Sequence, residues 1–223
     1  SGLTSNPSIF EKAISSSEIY DDSIRELISK NLSDLEIYEN LAVKDIPAAA
    51  DLLKPIYETS LQSDGFISLE VNPHLANDSS ETIEEAKRLV SKINRKNLMI
   101  KVPGTEAGLL AITELISEGI NVNVTLIFSL NMYGKVIDSY LDGLSRLISA
   151  GKSPSDVSSV ASFFVSRVDS AVDANPIIPE SLHGKTAIAN ATMAYALFLD
   201  KFGSVEFKQM FENGANFQRP LWA

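Results

Sequence analysis

Polar and apolar residues alternate along several short strand-like segments of this chain, and this alternation is what most restricts the fold. In "FISLEV", Ser68 and Glu70 alternate with apolar residues. In "NVNVTLI", Asn121, Asn123 and Thr125 do the same. Successive side chains of a strand point to opposite faces of a sheet, so each strand has one polar and one apolar face. A sheet covered by helices on both faces would instead show nearly continuous apolar runs.

Strand-like segments alternate with longer helical ones along the chain. We predict strands at residues 2–6, 65–71, 98–102, 121–128, 160–168 and 217–223. Apolar residues at helical spacing predict helices at residues 79–93, 105–119, 130–151 and 185–203. Thr105 is the predicted N-cap of the second helix, and Gly119 is its predicted stop. Residues 18–62 form a further helical insertion, in which Pro47 and Pro55 mark helix starts or kinks.

Strands that alternate with helices are typical of an α/β fold with a parallel sheet. Right-handed crossovers would place every helix on the apolar face, which leaves the polar face to solvent or to the inside of a closed barrel. Met99 and Phe164 fall on the polar face, where solvent exposure would be unfavourable for them. We therefore predict a (β/α)8 barrel, in which the active site lies at the carboxyl ends of the strands.

Composition limits the functions that such a barrel can have. The chain carries 19 Lys and Arg against 29 Asp and Glu, and its formal net charge of −10 disfavours nucleic acid and anionic membranes as partners. It has no cysteine and two histidines, which excludes cysteine chemistry and argues against a histidine-based metal centre. No signal peptide or membrane span is predicted, so we expect a cytoplasmic protein. Without a linker or repeat, residues 1–223 are interpreted as one domain.

The segment "NLMIKVPGTEAG" places Lys101 on the polar face, one residue before its predicted strand ends. Burial disfavours the charged form of an amine, and an uncharged amine attacks carbonyl groups to form a Schiff base. The alternative is a structural ion pair between Lys101 and Glu70. Position along the chain is compatible with both interpretations.

The neighbours of Lys101 on the polar face favour the catalytic interpretation. Glu70 and Thr125 are suited to hold one water molecule, and the carboxylate can carry protons during imine formation and hydrolysis. Asn6 and Asn123 offer amide donors and acceptors that suit sugar hydroxyl groups. Buried polar groups cost free energy unless they find partners, so this group of side chains indicates a ligand or water.

Two arginines follow or lie in strand-like segments, Arg167 after "ASFFVS" and Arg219 within "NFQRPLWA". Two guanidinium groups at one rim of a barrel would bind a phosphate through paired hydrogen bonds. For each arginine alone, a surface salt bridge is the alternative. We interpret His74 and His183 as structural or exposed residues, because both lie in loop-like sequence.

The segments "GLTSNPSIF", "IKVPGTEAG", "INVNVTLIFS" and "ASFFVSRVD" resemble the strand motifs of the transaldolases, and "QRPLWA" resembles a later strand on the phosphate side. The resemblance covers nearly the whole chain in the same order. It implies transfer of a dihydroxyacetone unit from sedoheptulose 7-phosphate or fructose 6-phosphate to glyceraldehyde 3-phosphate or erythrose 4-phosphate, in the pentose phosphate pathway. It also implies a (β/α)8 barrel that uses no metal or organic cofactor, since the iminium itself accepts the electron pair.

The resemblance further implies roles for individual residues. Lys101 would form the Schiff base, while Glu70 and Thr125 would position the catalytic water. The substrate-binding residues that it implies are Thr4, Asn6, Asn123, Ser162, Phe164, Arg167 and Arg219. Within that set the two arginines would bind phosphate, Phe164 would wall the pocket, and Thr4 would support the strand of Asn6.

Two departures from the transaldolase pattern concern the ends of the chain. The family's acid/base aspartate lies on a first strand that would precede Ser1, and an eighth strand would follow Ala223. We therefore expect the chain to be part of a longer transaldolase. The alternatives are a lyase of the fructose 6-phosphate aldolase type and a non-catalytic phosphosugar-binding part of a fusion with an isomerase domain. We expect a monomer or homodimer with sugar phosphates as partners.

Overall fold

The computed structural model describes residues 2–223, and Ser1 lies outside the described residues. These residues divide into two compact units. The first contains the chain up to Glu70 together with Lys87–Ile100, and the second contains Val71–Ala86 and Lys101–Ala223. Each unit is described by itself below.

The described residues form an α/β fold in which parallel strands are connected by helices. The strands are β1 (Leu3–Thr4), β2 (Ile67–Glu70), β3 (Leu98–Pro103), β4 (Val122–Ile127), β5 (Ser159–Phe163) and β6 (Gln218–Trp222). The helices are α1 (Pro7–Ser15), α2 (Asp21–Ser29), α3 (Asp34–Thr59), α4 (Ser79–Ile93), α5 (Glu106–Glu118), α6 (Leu130–Ser149), α7 (Ser166–Asp173), α8 (Thr186–Phe202) and α9 (Val205–Glu212). This confirms the predicted fold class, with six of the eight parallel strands of a (β/α)8 barrel within residues 2–223.

Strand order within each unit follows the chain. In the first unit β1 pairs with β2 in parallel, and the Ile67 N–H donates to the Asn97 carbonyl, at the start of β3. In the second unit the order is β3-β4-β5-β6. Parallel pairing joins β4 to β5 and β5 to β6. This is the order that successive right-handed βαβ crossovers produce.

The helix that follows β3 begins and ends as the sequence predicts. The Thr105 side chain accepts a hydrogen bond of 2.9 Å from the Gly108 N–H, as an N-cap does. Gly119 ends the helix with φ of 92°, in the left-handed region that glycine adopts without strain. The predicted helix over 79–93 is confirmed as α4.

One predicted boundary is wrong, and one alternative for the prolines of the helical insertion is excluded. The strand predicted over 160–168 ends at Phe163, because residues 166–173 form α7 instead. Of the two roles predicted for Pro47 and Pro55, helix starts are excluded, because both prolines lie inside α3, where a proline is a potential kink. That helix begins earlier, at a capping box in which the side chains of Ser33 and Glu36 satisfy each other's backbone N–H groups.

Polar contacts fix the helices of the first unit. The buried Asn97 amide donates to the carbonyls of Ala50 and Gly65, at 2.8 and 3.0 Å. On the surface, Glu39 of α3 bonds Arg88 of α4 at 2.6 and 2.8 Å, and it also pairs with Lys92. The hydrogen bond from Arg88 is the main cause that lowers the pKa of Glu39 to about 2. The ion pairs therefore connect α3 to α4.

Apolar packing in the second unit lies on one face of the strands. The ring of Tyr133 in α6 packs edge-on against Phe163 of β5, with centroids 5.7 Å apart. Trp222 of β6, the register partner of Phe163, contacts Tyr195 of α8. Helices α6 and α8 therefore cover the apolar face of these strands, and the polar side chains point the other way.

The helical spacing of the Met and aromatic residues in "ATMAYALFLDKF" predicts that they are buried in the core. This prediction is wrong in part, because Met193 and Tyr195 are 58% and 48% exposed, while Phe202 is buried. No helix in the part of the chain that the structure describes is long and apolar enough to cross a membrane.

The close approach of α5 and α6 generates a prediction about two glycines of α6. A Cβ on Gly143 would lie 2.7 Å from the Ile116 Cβ and 2.9 Å from the Thr113 carbonyl, whereas one on Gly134 would meet only Leu197, at 3.7 Å. We expect Gly143→Ala to lower the free energy of unfolding by about 1–3 kcal/mol through overpacking. Gly134→Ala, the matched control, should raise it by about 0.5–1 kcal/mol through helix propensity. Urea denaturation measures both, and equal effects would contradict the close contact.

Candidate active site

The polar face of the second unit carries a row of polar side chains across four strands. The Gly104 N–H donates to the Thr125 carbonyl at 2.8 Å, and this parallel register, continued back along β3, places Lys101 beside Asn123. Asn123 pairs with Val160 of β5, which pairs with Arg219 of β6. Residues paired in a parallel register point to the same face. Lys101, Asn123 and Arg219 therefore belong to one face of the strands.

The side chains in this part of the second unit are polar and yet buried. Lys101 is 7% exposed, Asn123 4%, Thr125 2% and Ser162 8%. The Ser162 hydroxyl donates to the Asn123 amide oxygen at 2.9 Å, which connects β5 to β4. Such a concentration of buried polar groups is expensive in a core but useful around a hydroxyl-rich ligand.

Apolar and cationic groups adjoin these residues just after β5. The ring of Phe164 packs against Phe128, with centroids 5.1 Å apart, and the guanidinium of Arg167 lies 4.9 Å from the centroid of the Phe164 ring. This distance is within the range of a cation–π contact. Arg167 is exposed in the first turn of α7, and Arg219 is exposed in β6. Both arginines are thus accessible to an anion.

Three of the predicted residues lie in the first unit. Thr4 of β1 pairs in register with Ser68 of β2, so Thr4 shares a face with Ser68 and, two residues on, with Glu70. Asn6 follows β1 and caps α1, because its amide oxygen accepts a hydrogen bond of 2.8 Å from the Ile9 N–H. Ligand binding by Asn6 would therefore use its amide nitrogen.

Three further residues near these positions are not apparent from the sequence pattern. Tyr38 of α3 is half-buried, and its burial together with the negative charge of Glu70 raises the pKa of Tyr38 to about 12. Leu126 and Phe128, in and after β4, are 38% and 40% exposed, although they belong to an apolar run. Polar–apolar alternation in "NVNVTLI" predicts Leu126 on the buried apolar face opposite Thr125, and its exposure shows that this prediction is wrong. Two adjacent apolar residues, "LI", interrupt the alternation there and are a local sign of the irregularity.

No group of three or more His, Asp or Glu side chains suited to hold a metal ion occurs within residues 2–223. The two histidines lie apart from the polar row in sequence, with His74 in an exposed turn at Pro73–Leu75 and His183 after a short turn at Glu180–Leu182.

Comparison with known proteins shows the family to which the chain belongs. Residues 1–213 match the family described as Transaldolase/Fructose-6-phosphate aldolase, and the chain belongs to that family. Curated relatives that carry the name Transaldolase include those of Thermobifida fusca, 48% identical, and Frankia alni, 47% identical. Transaldolase 2 of a Nostoc species is 45% identical. Each alignment covers 100% of this chain, but only 62%, 61% and 62% of the respective relative.

Two serines of β5 on opposite faces generate a prediction about the polar row. Ser162→Ala removes the hydrogen bond to Asn123 and should lower the free energy of unfolding by about 1 kcal/mol. It should also weaken binding of a sugar phosphate, measured by calorimetry. Ser159→Ala is the matched control, because that hydroxyl bonds the Val122 carbonyl and the Gln218 amide on the helix-covered face. It should cost stability without weakening binding. Equal losses of binding in the two variants would contradict a role in ligand binding for Ser162 on the polar face.

Proposed function

We propose that this chain carries the Schiff-base centre of a transaldolase. The enzyme would transfer a dihydroxyacetone unit from a ketose phosphate, sedoheptulose 7-phosphate or fructose 6-phosphate, to glyceraldehyde 3-phosphate or erythrose 4-phosphate. The observation that supports this most strongly is the buried amine of Lys101, in one row with the Asn123 amide and close in sequence to a strand end. Membership of the family supports the same reaction class.

The proposed reaction begins when the Lys101 amine attacks the C2 carbonyl of the donor. The carbonyl oxygen takes up protons and leaves as water, which produces an iminium ion. A general base then removes the C4 hydroxyl proton, the C3–C4 bond breaks, and its electron pair moves into the iminium to form an enamine. The shortened aldose leaves, and the enamine carbon attacks the aldehyde of the acceptor, whose oxygen regains a proton. Hydrolysis of the new iminium releases the product and the free amine.

The remaining side chains receive roles that match their chemistry. Thr125 is buried beside the row and can hold the water that imine formation releases and hydrolysis consumes. We assign proton transfer to and from this water to Glu70. Asn123 and Ser162 would bind donor hydroxyl groups as a connected pair, and Asn6 would contribute its amide nitrogen. These groups bind polyols without adding charge.

Phosphate recognition is assigned to the two exposed arginines, Arg167 and Arg219. The Phe164 ring carries the Arg167 guanidinium on its face, which restricts the orientations of that group before any ligand binds. Thr4 would support the strand that precedes Asn6, and Phe164 would also form an apolar wall of the pocket. A planar guanidinium presents paired N–H groups that match two phosphate oxygens.

A second candidate function is the aldolase reaction that the family description also names. It would release the three-carbon unit instead of transferring it to an acceptor. The names of the relatives at 45–48% identity favour transfer. Release of free dihydroxyacetone, compared with product formation that depends on erythrose 4-phosphate, separates the two reactions.

Lys101→Arg tests the Schiff base directly. Borohydride reduction in the presence of fructose 6-phosphate should leave a stable adduct on Lys101, located by peptide mass spectrometry. The arginine variant should fold but form no adduct, because its guanidinium stays protonated and cannot attack. Lys135→Arg, at an exposed lysine paired with Glu106, should retain the adduct. Binding of fructose 6-phosphate without any adduct in the wild-type protein would reduce the function to phosphosugar binding.

Arg219→Ala tests phosphate recognition. Loss of a charge-assisted hydrogen bond should weaken binding of fructose 6-phosphate by roughly 10- to 100-fold and binding of unphosphorylated fructose by much less. Arg146→Ala is the matched control, since Arg146 is an exposed arginine paired with Asp142 in α6. It should leave both affinities unchanged. Equal losses for the two sugars in Arg219→Ala would remove this residue from the phosphate site.

A further inference from the structure

The backbone of Leu126, near the carboxyl end of β4, has an unusual conformation. Its φ of 59° falls in the left-handed region, which residues with a Cβ seldom adopt. Every other residue of β4 is buried, whereas the Leu126 side chain is 38% exposed. Strained residues of this kind cluster at functional sites, where the surrounding structure holds them in place.

The pairing between β4 and β5 explains this conformation. Val124 pairs with Ala161, and Ile127 pairs with Phe163. Three steps along β4 therefore match two steps along β5, so β4 contains one extra residue, which defines a β-bulge. Leu126 is the residue of that segment in the left-handed region, and Thr125 directly precedes it.

Hydrogen bonds hold the bulge from both neighbouring strands. The Thr125 carbonyl accepts from the Gly104 N–H at 2.8 Å, and the Ile127 carbonyl accepts from the Phe164 N–H at 2.8 Å. Ile127 is fully buried, so the extra residue keeps it on the apolar face, although it lies two positions after Thr125. In a regular strand, residues two positions apart share a face, and Ile127 would join Thr125 on the polar face.

We infer that Leu126 is a positioning residue that acts through its backbone. Leu126 is the extra residue of the bulge. Its left-handed backbone allows Thr125 to lie on the polar face, with its carbonyl hydrogen-bonded to the Gly104 N–H, while Ile127 stays in the core. What the site needs from position 126 is a residue that accepts positive φ. The side chain of Leu126 itself is secondary. This inference rests on the proposed function, because it assigns a catalytic purpose to the orientation of Thr125.

Substitutions at position 126 separate a backbone role from a side-chain role. Glycine and asparagine accept positive φ, whereas a β-branched residue there is a genuine outlier. We therefore expect Leu126→Gly and Leu126→Asn to keep kcat within about threefold of wild type, and Leu126→Val to lower it by about tenfold or more with KM unchanged. Leu126→Ala, which removes most of the side chain, should behave like wild type.

A second leucine provides a matched control. Leu61 has φ of 54° and is 89% exposed, in the turn after α3. Leu61→Val imposes the same kind of strain away from β4. We expect it to lower stability to a similar extent as Leu126→Val but to leave kcat at the wild-type value. A fall in kcat in both valine variants would show that general destabilisation is responsible, and would overturn the inference.

Amide hydrogen exchange reports on the bulge without depending on activity. In Leu126→Val the Gly104 amide, which donates to Thr125, should exchange about tenfold faster than in Leu61→Val. It should stay protected in the glycine, asparagine and alanine variants. Wild-type exchange at Gly104 together with wild-type kcat in Leu126→Val would overturn the inference, and so would a loss of kcat in Leu126→Gly as large as in Leu126→Val. If the wild-type protein forms no borohydride-reducible adduct, the proposed function fails, while Gly104 exchange still tests the backbone role of Leu126.

Discussion

Burial of the apolar faces of β5 and β6 under helices is the constraint on which the organisation of the second unit depends. Within the second unit α6 and α8 pack against the apolar side chains of β5 and β6, so the remaining side chains of these parallel strands must point the other way. The parallel register then brings Lys101, Asn123 and Arg219, which are far apart in sequence, onto one face. The polar row is thus a consequence of covering the opposite face with helices.

The fold was predictable to the extent that local patterns determine it. Helix ends such as the Thr105 cap and the Gly119 stop depend on neighbouring residues, and the structure confirms them. The carboxyl end of β5 was not predictable, because "FFVSRV" suits a strand as well as a helix by local propensity. The hydrogen bonds from the Val165 and Ser166 N–H groups to the Ala223 carbonyl, nearly sixty residues away, belong to the tertiary structure.

The candidate site shows the same division. Alternation correctly placed Asn123 and Thr125 on one face of β4, and the burial of both is consistent with a ligand-binding role. It failed at Leu126, because alternation assumes equal numbers of residues in paired strands. Asn6 illustrates a different shortfall, since its amide oxygen caps α1, whereas the polar-face pattern predicts only ligand binding for this residue. A capping role depends on the backbone conformation of the residues that follow, which a polar-face pattern does not contain.

The sequence by itself determined the alternation of strands and helices, the polar face and the identity of the buried lysine, because these follow from residue type and spacing within about twenty positions. Only the tertiary structure decided the register between strands, the bulge at Leu126 and the contact of Arg167 with Phe164. The physical reason is that hydrogen-bond pairing between strands depends on segments that are distant in sequence. The local composition does not reveal that one strand of a pair contains an extra residue, and yet this residue changes which side chains face the site.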